Sequence, residues 1–452
     1  MSYKSALVHL SDIECGQESR AESESEAAGY ERCARRLVDD IKGQLSRHQE
    51  LSSAQVGLIV TGDSATKGKK TEFEKAEATI KLIRDSLGIP PDQVAVVPGN
   101  HDVSRTDCEE AFKARWPGLD RKDPTNRERA RGLSKKLEKF GGFFHNVCSR
   151  EFNGPETVVS FDAFSRLGIA LVGLDTTYPC TFHPDDNYGL LRHDAVTAAG
   201  IKLKSMLEKD RQLVPVVAMH HCPSPLLDQL PKDKSYLYNA TQAMDWLRDA
   251  GFCVVLCGHE HQQRSVLDLR SNYSVFAAGS YGLNLKGLRS RYHGEERYES
   301  NRYEIVLADP EGSSEFLLRK LRIPGSLDSE WVEDTDYGPA TFPFHLRRPQ
   351  IDEPSGPSVW PPVNLFVSHP YQLGARQRWV VSLSLGGALD SLNAISSVTY
   401  RVGDVTKVRE NREVGFRTDV EVQSISQAQV EAELRQENGQ VQTVTRYIPS
   451  PL

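Results

Sequence analysis

No apolar run in this sequence approaches the roughly 18 residues needed to cross a bilayer, so a helical membrane anchor is not expected. The first apolar stretch, Ala6 to Leu10, is too short for a signal-peptide core and runs directly into Ser11 and Asp12. It reads as a buried first strand. Cysteine is also scarce, with eight scattered over 452 residues, which excludes a disulfide scaffold and makes a reducing cytoplasm the simplest setting. Only Cys253 and Cys257 lie close together, and their apolar surroundings suit cysteine as a small hydrophobe. An excess of positive charge is missing too: 55 basic against 62 acidic residues leave a formal charge of -7. No global attraction to nucleic acid or anionic membrane follows, and only local basic stretches remain to make such contacts.

What is present is the balance of an ordinary globular protein, with 38% hydrophobic and 26% charged residues, in a chain long enough for two or three domains. Short apolar runs recur at Ala6 to Leu10, Val56 to Val60, Val94 to Val97, Ile169 to Leu174, Val214 to Met219 and Cys253 to Leu256. Each precedes a turn and a helical pattern, which predicts an α/β domain. Tyr30, Cys33, Leu37, Ile41 and Leu45 mark the apolar stripe of a helix within residues 22–49, and residues 71–87 form a second, stopped by Pro90 and Pro91. Residues 105–153 interrupt the alternation as a helical insertion anchored by Phe140, Phe143 and Phe144. Strand patterns return at residues 273–278, 302–307 and 314–321, placing the end of a first domain, residues 1–325, near Pro324. Residues 326–363, rich in proline, glycine and acidic residues, read as a linker. Residues 364–452 alternate in strand fashion and predict a small β-sandwich.

Polar residues with metal-binding chemistry stand just past the predicted strands: Asp12, Asp63 after Gly62, Asn100-His101-Asp102 after Gly99, His220-His221, and His259-Glu260-His261 after Gly258. The ends of strands in open α/β sheets are where sites assemble, and the glycines permit the sharp turns needed there. Two divalent ions about 4 Å apart can generate hydroxide from water and neutralise a phosphate, and they require a bridging carboxylate with oxygen and imidazole ligands around it.

These five blocks, in this order over about residues 5 to 325, resemble the signature of the calcineurin-like metallophosphoesterase superfamily. The resemblance implies a four-layer α/β/β/α sandwich and two divalent metals. Asp63 would bridge them, Asp12 and His261 would serve the first, and Asn100, His220 and His259 the second. His101 would stand over the scissile phosphate, with Asp102 orienting it. One position departs from the pattern: Glu14 occupies the place of a histidine. Either Glu14 ligates, giving an oxygen-rich site that prefers manganese or magnesium to zinc or iron, or it points away and weakens the first metal site. His9 reads as a packed strand residue, and His221 as either a substrate contact or a structural hydrogen-bonding group. Cys15 and Cys222 flank the site without an evident role.

Two basic stretches bear on the substrate. Arg121, Lys122, Arg127, Arg129, Arg131, Lys135 and Lys136 fall within the insertion, and Lys286, Arg289, Arg291 and Arg297 alternate with Tyr292 and Tyr298. Both suit phosphates or stacked bases, and both equally suit solvated surfaces. The last 75 or so residues resemble, less specifically, prokaryotic YEATS-like domains, through Trp379-Val380-Val381-Ser382-Leu383, Leu392 to Tyr400, and Phe416. That likeness implies an immunoglobulin-like sandwich and a ligand or protein partner. Three functions therefore stand open: hydrolysis of a nucleotide or cyclic nucleotide, metal-dependent nuclease activity, and a non-catalytic adaptor.

Overall fold

The computed structural model describes residues 5–16, 26–47, 55–121, 123–152, 158–183, 186–223, 237–261, 264–268, 273–282, 289–292, 295–298, 301–308, 313–322, 329–334 and 341–345, and beyond these the strands of the C-terminal unit. Two compact units divide the chain. The first holds Met1–Pro225 and Asp233–Pro349, and the second Gln350–Leu452.

In chain order the first unit begins β1 (Ser5–Leu10), α1 (Glu26–Leu45), β2 (Val56–Val60), α2 (Lys70–Leu87), β3 (Val94–Val96), α3 (Arg105–Arg115), α4 (Pro124–Arg131) and α5 (Glu138–Cys148). It continues β4 (Val158–Ser160), β5 (Ile169–Leu174), α6 (His193–Lys209), β6 (Val214–Ala218), α7 (Ala240–Asp249), β7 (Val254–Cys257), β8 (Arg264–Asp268) and β9 (Tyr273–Ala277). The hairpin β10 (Arg289–Tyr292) and β11 (Glu295–Tyr298) follows, then β12 (Arg302–Ala308), β13 (Ser313–Leu321), β14 (Trp331–Glu333) and β15 (Thr341–His345).

These strands make two large sheets, ordered β14-β13-β12-β1-β2-β3, with β15 also on β13, and β4-β5-β6-β7-β9-β8. Around the centre of each sheet the pairing is parallel, β1 to β2 to β3 and β5 to β6 to β7 to β9. Such strands are covered on both faces and so are apolar throughout, as the fully buried β1, β2 and β5 are. Alternation along β5 sorts the layers. Ile169 and Leu171 face a core shared with β1 and β12, while Ala170, Val172 and Leu174 face α6 and α7. Leu7, Ile169, Val216, Leu256 and Val306 border one small apolar gap, so the two sheets pack face to face. Helices α1, α2 and α5 complete the first core through Leu37, Ile41, Ile80, Ile83 and Phe144. The result is a mixed α/β unit with helices outside two facing sheets.

Two expectations are revised. First, the sheet continues past Pro324: β14 and β15 pair with opposite ends of β13, so the unit's strands extend through residues assigned to a linker. Second, the helical insertion, expected as one segment anchored by Phe140, Phe143 and Phe144, divides in two. α5 packs in the main core, with Phe143 stacked on Phe73 at 5.2 Å, whereas α3 and α4 share a small core of Cys108, Phe112, Ala130 and Leu133.

The second unit contains β16 (Val363–Val367), β17 (Tyr371–Leu373), β18 (Arg378–Gly387), β19 (Ile395–Val402), β20 (Val405–Arg409), β21 (Thr418–Val422), β22 (Gln429–Gln436) and β23 (Val441–Tyr447). All of its pairings are antiparallel, in one four-stranded sheet built around β18 and another ordered β20-β19-β22-β23. Val398, Tyr400 and Val402 on β19, with Ala432 and Leu434 on β22, are buried at every second position. Phe416 lies outside the described residues.

Candidate metal centre

Each sheet sends its ligand-type residues from the C-terminal ends of parallel strands. Asp12, Asp63 and Asn100 follow β1, β2 and β3, and His220, His259 and His261 follow β6 and β7. The loops are stitched across the sheets: Tyr281 and Gly282, after β9, donate from their backbone to Ser11 and Asp12 carbonyls at 2.9 and 2.8 Å. His259 N–H donates to Asp12 Oδ2 at 3.1 Å, which ties the same loops again.

Five of the six non-glycine residues with positive φ among those described are site residues: Asp12, Glu14, Asp63, His259 and His261, at 50° to 73°. This left-handed region costs an L-residue about 1 to 2 kcal/mol, and strain of this kind gathers at functional sites. Gly62 has φ 92°, and a Cβ there would stand 2.5 Å from His220 Nδ1. Glycine at 62 is therefore required by both conformation and space.

His220 organises one half of the centre. Its Nδ1–H donates to the Thr61 carbonyl at 2.6 Å, which turns Nε2 inward. Around Nε2 stand His259 Nδ1 at 3.0 Å, Asn100 Oδ1 at 3.1 Å and Asp63 Oδ2 at 3.2 Å. In the other half, His261 Nε2 lies 3.6 Å from Asp12 Oδ1 and 3.9 Å from Glu14 Oε1. Asp12, Asp63 and His220 bring one ligand atom each within 4.8 Å of one another, as do His220, His221 and His259.

The residues present fit a metal pair. Asp12 Oδ1, Asp63 Oδ2, His259 Nε2 and His261 Nδ1 are buried without a hydrogen-bond partner among the described residues. Buried polar atoms are nearly always satisfied, and the two orphaned carboxylate oxygens, Asp12 Oδ1 and Asp63 Oδ2, beside the imidazole nitrogens that converge on them match the coordination needs of divalent cations. The electrostatics agree. Burial pushes the His220 imidazole down, yet the Asp63 carboxylate more than offsets it and raises the group to about 9, as expected where a cation is wanted. Burial raises Asp63 in turn, but His220 and His101 hold its carboxyl well below the usual range. Burial also drives His259 far below its ordinary value, keeping it a neutral imidazole.

His101 and Asp102 separate in role. The backbone N–H of His101 donates to Asp63 Oδ1 at 2.8 Å, and its ring Nδ1–H to the Thr66 carbonyl at 2.8 Å. Asp102 does not orient that ring. Its two oxygens accept from the Ala65 and Gly99 backbone at 2.9 Å each, locking the loops that carry Asp63 and Asn100. Burial and the nearby Asp63 raise Asp102 to about 7. Glu14 is buried, with its side chain toward His261, and burial raises its carboxyl despite His261 and His101.

His221 stacks near His259, ring centroids 4.4 Å apart, with Nδ1 toward Thr176 Oγ1 at 2.8 Å and Nε2 toward the Asn187 carbonyl at 3.2 Å. Both nitrogens are thus engaged by the protein, which favours the structural reading over a substrate contact. His9 lies behind the site, between Glu304 Oε2 at 3.0 Å and Thr61 Oγ1 at 2.9 Å. Glu304 carried no motif, and only its contact with His9 reveals it.

The basic insertion is largely neutralised. Arg121 pairs with Glu109, Lys135 with Glu138, and Arg127 with Asp186 at 3.6 Å. Lys136 is wholly buried, its ammonium bonded to the carbonyls of Thr177, Tyr178 and Cys180 at 2.9 to 3.1 Å. The side chains of β10 and β11, with Lys122 and Lys286, lie outside the described residues.

The family model for calcineurin-like phosphoesterases matches residues 6–263. That span covers more than half of the chain and every residue of the centre described above; the chain belongs to the calcineurin-like phosphoesterase family, whose members use two divalent metals to hydrolyse phosphoesters. A comparison with curated proteins finds no match. Among the described residues no helix is long and apolar enough to cross a membrane.

Proposed function

We propose that this chain hydrolyses the phosphoester of a nucleotide or cyclic nucleotide at a dimetal centre that Asp12, Asp63, Asn100, His220, His259 and His261 would hold. The observation that carries the reading is the convergence of His259 Nδ1, Asn100 Oδ1 and Asp63 Oδ2 within 3.2 Å of His220 Nε2, beside a second cluster of Asp12, Glu14 and His261. Two bound divalent ions supply an activated water and positive charge against the phosphate. The chain's own part is to hold that chemistry in register. Thr61 fixes the His220 tautomer, Asp102 holds two ligand loops together, and Asp12 accepts from His259 across the sheets.

His101 is the acid. With Nδ1–H given to Thr66, its Nε2 is free to carry the proton that the leaving oxygen needs. Burial lowers this imidazole, but Asp63 and Glu14 raise it above its ordinary value, favouring the protonated form. Glu14, buried beside His261, adds an oxygen donor to the first position, and manganese is the preferred ion for such a set.

The pairing of the basic insertion favours a small substrate over a nucleic acid, so the nuclease reading stands second. The complete ligand set speaks against a non-catalytic adaptor. A partner or ligand for the C-terminal β unit, and its YEATS-like immunoglobulin character, remain proposals on the likeness alone. The test is metal analysis followed by hydrolysis of bis(p-nitrophenyl) phosphate, cyclic nucleotides, and single- and double-stranded DNA. Hydrolysis of nucleotides that requires metal and disappears in Asp63→Ala supports the reading. Cleavage of DNA in preference to every nucleotide overturns it in favour of the nuclease.

A further inference from the structure

His221 packs against His259 and hands its Nε2 to the Asn187 carbonyl, while the Asn187 side-chain oxygen accepts from Arg105 Nη2. Arg105 opens α3 four residues after His101, so two hydrogen bonds connect its guanidinium to a ring in the metal centre. Arg131 reaches the same loop from α4, donating from Nη2 to the Tyr188 hydroxyl at 2.9 Å. Both guanidinium groups retain a buried nitrogen, Nη1 of Arg105 and Nε of Arg131, with no hydrogen-bond partner among the described residues. Arg105 forms no ion pair among those residues, and Arg131 meets only the exposed Glu128 at 3.7 Å. Their neighbours Arg127 and Lys136, by contrast, are satisfied by Asp186 and by three carbonyls.

Beyond the arginines lies an aromatic pair. The Tyr188 and Tyr238 rings stand 5.9 Å apart, and Tyr238 is 67% exposed although its backbone N–H is fixed to the Gly189 carbonyl at 2.8 Å. One chain of contacts thus runs from His221 through Asn187 to Arg105 and another from Arg131 through Tyr188 to Tyr238, and the two meet at the adjacent residues Asn187 and Tyr188. Guanidinium forks bind phosphate oxygens in pairs, and an exposed ring offers a face on which a base can stack.

We propose that Arg105, Arg131, Tyr188 and Tyr238 form a second subsite that holds the inner phosphate and base of a nucleotide carrying at least two phosphates, whose terminal phosphate occupies the metal centre. The inference rests on the metal-dependent nucleotide hydrolase reading above and extends it from a phosphoester to the terminal phosphoanhydride bond of such a nucleotide. In the reaction the oxygen of water bonds to the terminal phosphorus and the bond from that phosphorus to the bridging oxygen breaks. The bridging oxygen leaves with the electron pair and a proton, giving orthophosphate and the nucleotide shorter by one phosphate.

The test reads binding separately from turnover. The full-length, manganese-loaded chain is titrated calorimetrically with α,β-methylene-ADP, which cannot be cleaved at the terminal phosphate, and with methylenediphosphonate, which lacks the base. Arg105→Ala should weaken both ligands about tenfold or more, the effect expected on losing charged hydrogen bonds. Tyr238→Ala should weaken only the ligand with a base, by about fivefold or more. Arg131→Lys, which keeps charge and loses the fork, gives a milder second variant should Arg105→Ala fail to fold. The subsite is overturned if the wild-type chain binds neither ligand, or if the variants bind both as tightly as it does. If the variants behave as stated but the wild type releases phosphate from neither ADP nor a nucleotide monoester, the subsite stands and the hydrolase reading falls; release from the monoester alone overturns the proposal.

Discussion

Under the proposed function Glu14 binds metal and His101 serves the chemistry, so the two roles can be tested apart. Replacing Glu14 by histidine substitutes an imidazole for the buried oxygen donor beside His261, and the expected result is a shift of the activating ion from manganese toward zinc or iron. Equal metal preference and equal affinity in the two proteins would remove Glu14 from the coordination sphere. His101→Ala should retain its full complement of metal by elemental analysis while losing about 100-fold or more in kcat, the usual worth of a positioned acid. At His221 the argument concerns stability. Burial and the neighbouring His220 push this imidazole down to about 3 in the folded chain, against an ordinary value near 6.5. Below pH 6.5 the unfolded chain takes up a proton there that the folded chain refuses, so this contribution to stability is whole above 6.5 and is lost as pH falls toward 3. The unfolding free energy of the wild-type chain, from urea titrations, should fall through that window by an amount on the order of a few kcal/mol, and His221→Asn should flatten the slope. An unchanged slope would mean that His221 is solvated in the folded protein.

At the scale of elements, the parallel strands were legible because strands buried on both faces are apolar without interruption: β2 and β5 run over the residues that the pattern gave. The ligand positions were legible for a related reason, since each follows such a run and a turn. What escaped has physical causes. α6, which buries Ala195, Val196, Ala199, Leu203 and Met206, was implied only as a helical pattern without bounds after β5, because its small alanines mark an apolar face weakly. β14 and β15 are short edge strands, and Pro343 within β15 reads locally as a breaker although an edge tolerates it. Asp102 could not be assigned from the motif, because loop backbone groups that accept or donate leave no trace in side-chain identity. A fragment ending at residue 349 is thus expected to unfold in one cooperative transition and to remain dispersed. One ending at residue 325 strips β14 and β15 from β13, leaving it only β12, and the exposed edge should make it aggregate on concentration. Identical melting and sedimentation of the two fragments would show that β14 and β15 contribute nothing.

Over the whole molecule, charge is nearly balanced and much of the basic insertion is internally paired. A chain so neutralised should show little retention of single- or double-stranded DNA at near-physiological salt, and a log-log salt slope of several units in a binding assay would restore the nuclease reading. The left-handed backbone of Asp12, Glu14, Asp63, His259 and His261 bears on how such a protein changes over generations. Each of these residues holds a conformation that glycine or asparagine adopts more readily, so a substitution that ruins the centre can also relax the fold. Selection of this chain for heat resistance alone, without selection for turnover, should therefore accumulate replacements at the ends of β1, β2 and β7 sooner than in the sheets they crown. Thermostable survivors would be expected to have lost their catalytic function, and a lineage that keeps all five residues would be one in which hydrolysis has been under continuous selection.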